Sequence, residues 1–231
     1  MKVVKTARGA RIVDDDVVLS EILAEPGPTH SLFDVLAACV ATLAPGPRCA
    51  VLGFAGGGMI APLRAMGFPH PLSAVDLSRD GEKVFRRLSR DWAGTVRLAQ
   101  ADAATWLRRQ RRPFDLIVED LSVPSPAGTV KPYVSFDTLP ALIRARLRPH
   151  GVVVTNLLPL PGTSWAALLT RVALPHRRAV VLTLDEYENR FVLAGRALPT
   201  AAEVSQRVRR ALRGIGSYQE KLIRLRTLFR E

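Results

Sequence analysis

Read as a string of apolar and polar positions, the middle of the chain alternates between two periods. Apolar runs at 49–54, 72–76, 96–100, 114–119 and 151–156 are short and rich in Val, Ile and Leu, the signature of strands buried on both faces. Between them, residues 59–66, 81–92, 103–109 and 136–147 space their apolar side chains as helices do. Residues 30–43 do the same ahead of the first run (Leu32, Leu36, Cys39, Val40, Leu43), and Pro45-Gly46-Pro47 stops them. Strands alternating with helices of this length need right-handed crossovers, so the pattern predicts an α/β fold built on a mostly parallel sheet.

The two ends depart from this rhythm. Residues 2–18 carry short β-rich pieces around Asp14-Asp15-Asp16, which predicts a small N-terminal β-hairpin. After a helix at 163–174, strands at 178–184 and 190–195 are joined only by residues 185–189, a link short enough to require an antiparallel pair. Two helices are expected to close the chain, at 201–214 (Val204, Val208, Leu212) and 217–229 (Leu222, Leu225, Leu228, Phe229). The expected organisation is a β-hairpin extension at 1–28, a nucleotide-binding core at 29–197 and C-terminal helices at 198–231. With 231 residues, 48% of them hydrophobic, the chain has material for one full-sized core.

Chemistry enters where the first strand breaks. The run from Cys49 ends in Gly53 and then in Gly56-Gly57-Gly58, a helical segment follows, and the second strand ends in a carboxylate, Asp76. Glycines let a backbone approach a ligand closely, and an acid about twenty residues on can accept bonds from ribose hydroxyls. Gly56, Gly58 and Ala61 also satisfy the dinucleotide pattern G-x-G-x-x-G/A, so an NAD reading is open at this point. Asp102 and Asp120 end the third and fourth strands. In a parallel sheet all three acids emerge at the carboxyl edge, where ligands bind. Each has a structural alternative: Asp102 precedes Ala-Ala-Thr-Trp and is a natural helix N-cap, and Asp76 can cap a helix near Ser78.

Composition narrows the classes. Two cysteines, Cys39 and Cys49, provide no disulfide framework or zinc site, and His30, His70, His150 and His176 lack metal-ligand spacing, so no metal is expected. G-x-S-x-G is absent, and the glycine turn lacks the Gly-Lys-Ser/Thr of a P-loop. No apolar stretch reaches membrane-spanning length and no cleavable leader is evident, so a cytoplasmic protein without a membrane partner is expected. The net charge of +12 is almost all arginine, dispersed along the chain, which keeps nucleic acid open as a partner.

The ordered set Thr29-His30-Ser31, VLGFAGGG, AVDLSRD, ADAATWL, FDLIVEDLSVP, LIRARLRPHGVVVTNLL and ENRFVLAGR, across residues 25 to 195, resembles the spermidine synthase family and its methyltransferase-like relatives. The resemblance implies a Rossmann-like class I fold that binds S-adenosylmethionine or its decarboxylated form, with the antiparallel hairpin in place of a second dinucleotide half. It implies that Gly53, Gly56, Gly57, Gly58, Asp76, Leu77, Asp102, Ala103 and His30 contact the cofactor, Asp76 at the ribose and Asp102 at the adenine amino group. Asp120 would face the sulfonium, and Tyr133, on the loop 121–134 with Lys131, would join it as a catalytic residue. Active aminopropyltransferases of this family carry acids where this chain has Gly58 and Val123. The expected function is therefore a transferase, methyl-transferring before aminopropyl-transferring, acting on a small-molecule acceptor. An aminopropyltransferase with a non-standard acceptor, and a non-catalytic cofactor- or nucleic-acid-binding protein, stay open. A homodimer is implied by the resemblance alone.

Overall fold

The computed structural model describes residues 2–14, 17–125 and 128–230. The chain opens with an antiparallel meander of β1 (Lys2–Thr6), β2 (Gly9–Asp14) and β3 (Val17–Leu23), so the expected N-terminal hairpin is one strand larger. The extra turn is the two-residue link Ala7-Arg8, too short to stand out in the pattern; residues 15 and 16 of the Asp14-Asp15-Asp16 turn lie outside the described residues. Ile12, Ile22 and Leu23 point into the protein from this sheet, while Val3, Val4 and Val18 stay exposed.

The body follows as α1 (Leu32–Leu43), β4 (Cys49–Leu52), α2 (Ile60–Ala65), β5 (Leu72–Asp76), α3 (Asp80–Ser89), β6 (Val96–Gln100), α4 (Ala103–Arg108) and β7 (Phe114–Glu119). A small hairpin, β8 (Val123–Ser125) and β9 (Gly128–Val130), comes next, then α5 (Leu139–Arg146), β10 (Leu147–Leu157), α6 (Trp165–Ala173), β11 (Arg178–Leu184) and β12 (Tyr187–Gly195). The last elements are α7 (Ala201–Gly214), α8 (Gln219–Leu222) and β13 (Ile223–Arg230).

Eight strands form the main sheet in the order β13-β11-β12-β10-β7-β4-β5-β6. β10, β7, β4, β5 and β6 run parallel, and β12, β11 and β13 pair antiparallel in turn. Two apolar layers sandwich the sheet. One gathers Leu36 and Val40 of α1, Leu63 of α2, Phe85 of α3 and Val204, Val208 and Leu212 of α7; the other gathers Leu107 of α4, Ile143 of α5 and Leu168 and Val172 of α6. Burial of both faces explains why the central strands read as unbroken apolar runs.

Two expectations fail at the C-terminal end. Residues 217–229 form a single helical turn and then β13, not a helix. Their apolar positions fit both periods, since Ile223-Arg224-Leu225-Arg226 also alternates as a strand does, and the open edge of β11 offers a backbone partner along its whole length. The C-terminal segment 198–231 is thus helical only in part. The link between β11 and β12 is also shorter than expected, the two residues Asp185-Glu186, because β12 already begins at Tyr187. Arg224 of β13 donates two hydrogen bonds to Asp185 in this turn, at 3.0 and 2.9 Å.

Candidate active site at the carboxyl edge of the sheet

β4 and β5 deliver the glycine turn and Asp76 to the same place. Gly53 has φ +90, and its position is fixed from behind: a β-carbon built there would stand 2.5 Å from the Asp120 carbonyl oxygen. One oxygen of Asp76, Oδ2, accepts from the N–H groups of Phe54 and Ala55 at 2.7 and 2.8 Å, and Oδ1 accepts from the Ser78 N–H at 3.0 Å. These bonds hold Ala55 at φ +46, a left-handed backbone that costs a non-glycine residue about 1 kcal/mol or more. Asp76 therefore shapes the turn. Oδ2 is saturated, whereas Oδ1 keeps one lone pair for a ligand.

Gly56, Gly57 and Gly58 are buried, and their bare faces are taken by the protein itself. A β-carbon at Gly56 would meet Ile22 Cδ1 at 2.7 Å and Ile12 Cγ1 at 3.0 Å; at Gly57 it would meet the Phe54 ring at 2.6 Å; at Gly58, the Phe33 ring at 2.9 Å. From the other side α3 closes in, with Gly81 packed so tightly that a β-carbon there would stand 2.0 Å from the Ala55 carbonyl oxygen. The sequence reading attributes the three glycines to the close approach of a ligand. In the structure the N-terminal meander, α1 and Phe54 pack against the side of the turn that a β-carbon would occupy.

Asp120 follows β7, its N–H bonded to the Leu52 carbonyl at 2.8 Å. Asn156 Nδ2 donates to Asp120 Oδ1 at 2.7 Å, and Asn189 Nδ2 donates to Asn156 Oδ1 at 2.9 Å, so two strands, β10 and β12, orient this carboxylate. Burial pushes its pKa up to about 6 against the partial relief of Lys131 and Asn156, and the charges of Glu119 and Asp76 push the same way as burial. Asp76 and Asp120 thus share one electrostatic neighbourhood around Gly53.

Behind Asp120 lies a pair the sequence reading missed. Glu119 and Lys131 form an ion pair at 2.7 Å with both side chains 1% exposed. Lys131 also donates to the Leu121 carbonyl at 2.7 Å, and Glu119 Oε1 accepts from Ser135 Oγ at 2.9 Å and from the Leu121 N–H at 3.2 Å. Lys131 thus pins loop 121–134 to the end of β7. The signals that could have found these residues are slight: one lysine between Val130 and Pro132, and Asn156 closing an otherwise apolar strand.

The other candidates are spread around the rim. Leu77, directly after Asp76, is 66% exposed, and Tyr133 is 67% exposed at the start of a 3-10 turn, Tyr133–Ser135. Asp102 caps α4, Oδ1 accepting from the Thr105 N–H at 2.8 Å; that bond and a second from the Thr105 side chain hold its pKa below the usual range. The side chain stays exposed and Ala103 is buried behind it. His30 sits at φ +59 with its ring stacked on Tyr218, centroids 5.3 Å apart, and its carbonyl accepts from Gln219 Nε2 at 3.2 Å. These contacts join His30 to α8, not to the Asp76–Asp120 group. Asp115, at the start of β7 and so at the opposite, amino edge of the sheet, pairs with Arg148 at 3.1 Å and accepts from the Arg48 N–H at 2.9 Å.

For an adenosyl ligand the rim residues fit: Asp76 keeps an acceptor for a ribose hydroxyl, Leu77 offers an apolar surface, and Asp102 is an exposed acceptor. Among the described residues no cluster of His, Cys, Asp or Glu could hold a metal ion, and no helix is long and apolar enough to cross a membrane.

No family model and no curated protein matches the chain. Solved structures do. Spermidine synthase from Thermotoga maritima superposes with a TM-score of 0.67 at 14% identity, over 94% of this chain and 76% of that one. A spermidine synthase in complex with the transition state analogue AdoDATO gives 0.64 at 12% identity, over 94% and 75%. Human methyltransferase-like protein 13 in complex with SAH gives 0.58 at 18% identity, over 79% and 90%. The architecture is that of the class I S-adenosylmethionine-dependent transferases. Among folds of that kind the chain has the spermidine synthase-like form, as the resemblance implies.

Proposed function

We propose that this chain is a transferase that draws on an adenosyl sulfonium of the S-adenosylmethionine type and passes a methyl group to a small acceptor. The observation that carries the reading is the pairing of Asp76 and Asp120 at the carboxyl edges of β5 and β7, one carboxylate with a free acceptor for ribose and the other desolvated to a pKa of about 6. When bound, the sulfonium supplies an electrophilic carbon and a neutral thioether leaving group. In-line displacement from such a group needs positioning above all. Asp120, fixed by Asn156 and Asn189, is ionised above about pH 6 and is placed to orient the acceptor or take its proton.

Methyl transfer is favoured over aminopropyl transfer by the turn itself. Gly58 backs onto the Phe33 ring and presents no acid for an amine, and a net charge of +12 repels a polycationic acceptor. Calorimetric titration of the full chain with S-adenosylmethionine and with NAD tests the class. Binding of the first without the second supports the reading; binding of NAD alone replaces it with an oxidoreductase. A second reading, nucleic-acid binding, has one feature in its favour. Arg190 lies over the Trp165 ring at 4.2 Å, and burial, followed by the charge of Arg226, lowers its pKa. Salt-dependent retention of a labelled RNA, lost in Arg190→Ala, would favour it.

A further inference from the structure

We infer that the amino edge of the sheet, around the starts of β7 and β10, is a docking face for a single-stranded nucleic acid, its phosphates held by arginine and a base stacked on Trp106. The face is separate from the Asp76–Asp120 group and from Arg190. The six-residue β7 puts about 20 Å of strand between it and the carboxyl edge.

Two segments build the face. Residues 103–114 and 138–151 together hold seven arginines and no acid. Pairing of Leu147 with Phe114 and of Cys49 with Leu116 lays their arginine-rich ends side by side, with Arg48 beside them. Arg48 Nε donates to the Arg112 carbonyl at 3.3 Å, and Arg146 donates to the Leu107 and Arg108 carbonyls at 3.1 and 2.8 Å, which fastens the segments into one surface.

One carboxylate lies among these arginines, and the fold uses it. Asp115 is buried, accepts from the Arg48 N–H and pairs with Arg148. Burial, followed by the charges of Arg112 and Arg148, lowers the Arg48 pKa against the opposing pull of Asp115. Positive charge is therefore in excess here. Several arginines elsewhere are matched: Arg11 with Glu21, Arg79 and Arg86 with Glu82, Arg213 with Glu220 and Arg224 with Asp185. Arg109, Arg111 and Arg112 are exposed, and among the described residues their side chains have neither a hydrogen bond nor an ion pair. Guanidinium forks without a protein partner suit phosphate, which they grip with two bonds at once.

The surroundings select among polyanions. Fully buried Phe114 lies under Arg48, 4.7 Å from its ring centroid, and beside Trp106, with ring centroids 5.9 Å apart. Trp106 itself is only half-buried. Cationic groups next to an accessible aromatic are the means by which proteins hold single strands. A membrane surface calls instead for large apolar side chains to insert, and none of those that the structure exposes lies in either segment.

The test is fluorescence anisotropy on the full chain with a labelled single-stranded RNA of about 12 nucleotides, across a range of salt. Arg109→Gln/Arg111→Gln/Arg112→Gln should weaken binding by at least about tenfold at about 0.1 M salt and reduce the slope of log affinity on log salt by about 2. The matched control Arg87→Gln/Arg207→Gln/Arg210→Gln takes the same charge from exposed positions on α3 and α7, in the other layer, and should stay within about threefold of the parent. Trp106→Leu keeps an apolar cover on Phe114 and should cost about tenfold with the salt slope unchanged, which a charge effect would not do. Equal losses in the two triple variants would reduce the binding to net charge and overturn the inference. So would a parent that does not bind, an unaffected Trp106→Leu, a preference for the duplex of the same sequence, or capture by phosphatidylserine vesicles in place of RNA.

Discussion

Lys131→Met isolates the buried pair behind the candidate site. Met keeps the length and apolar stem of lysine and deletes only its charge. Glu119 then remains enclosed, with Ser135 Oγ and the Leu121 N–H on Oε1 and no cation to offset desolvation of the carboxylate. Breaking one side of a buried pair costs about 3–5 kcal/mol, whereas replacing both sides with neutral groups is often near neutral. The informative partner is therefore Glu119→Gln, whose side-chain oxygen still accepts from Ser135 and Leu121. We expect Lys131→Met to lower the urea midpoint by about 1–1.7 M, taking a slope of about 3 kcal/mol per molar. The double variant Glu119→Gln/Lys131→Met should recover to within about 1–2 kcal/mol of the parent, the residue being the Leu121 carbonyl left without a donor. The readout is a double-mutant cycle by urea denaturation with far-ultraviolet circular dichroism. A single variant that loses less than about 1 kcal/mol, or a double no better than the single, would refute the claim that charge rather than packing pins this loop.

Three further predictions follow from the same geometry. Because burial raises the Asp120 pKa to about 6, the folded state holds this proton more tightly than the unfolded chain does. Its contribution to stability is whole below about pH 4 and declines as pH rises through 6, by about 2–3 kcal/mol, so the pH–stability curve of Asp120→Asn should lose that slope relative to the parent. Gly81→Ala drives a methyl group into the Ala55 carbonyl, and since both sides are backbone, a loss of about 2–3 kcal/mol and a lowered melting temperature are expected. Cys39 and Cys49 are buried and desolvation pushes both thiols up to about 12, so neither should react with a thiol reagent at neutral pH until urea unfolds the chain.

The main sheet was legible because its central strands are buried on both faces, and even the half-buried border strand β6 keeps apolar positions at 96, 98 and 99. The runs 72–76, 96–100, 114–119 and 178–184 coincide with β5, β6, β7 and β11, and helix 201–214 coincides with α7, whose Thr200–Glu203 capping box marks its start. What stayed hidden depends on tertiary partners. β13 exists because β11 has an open edge, a fact no local window contains. The three acids were correctly placed at strand ends, yet their side-chain duties differ: Asp76 ties down the turn, Asp102 caps a helix, and only Asp120 is left strongly desolvated. Asn156 and Asn189 lie 33 residues apart, and Lys131 reaches Glu119 across 12, separations at which pattern reading has no signal. The glycines also answer to a tertiary demand no local window contains, the packing of Ile22, Phe54 and Phe33 against their β-carbon side.

Both borders of the large sheet carry arginine. β13 sets Arg224 and Arg226 among Ile223, Leu225 and Thr227, and at the opposite border β6 sets Arg97 between Val96 and Leu98. A strand offered by another copy at either border would bring guanidinium against guanidinium, the kind of device that keeps open sheets from zipping together. The expected consequence is colloidal: light scattering on concentrated solutions should show dispersed protein at low ionic strength and clumping as added electrolyte mutes the mutual repulsion.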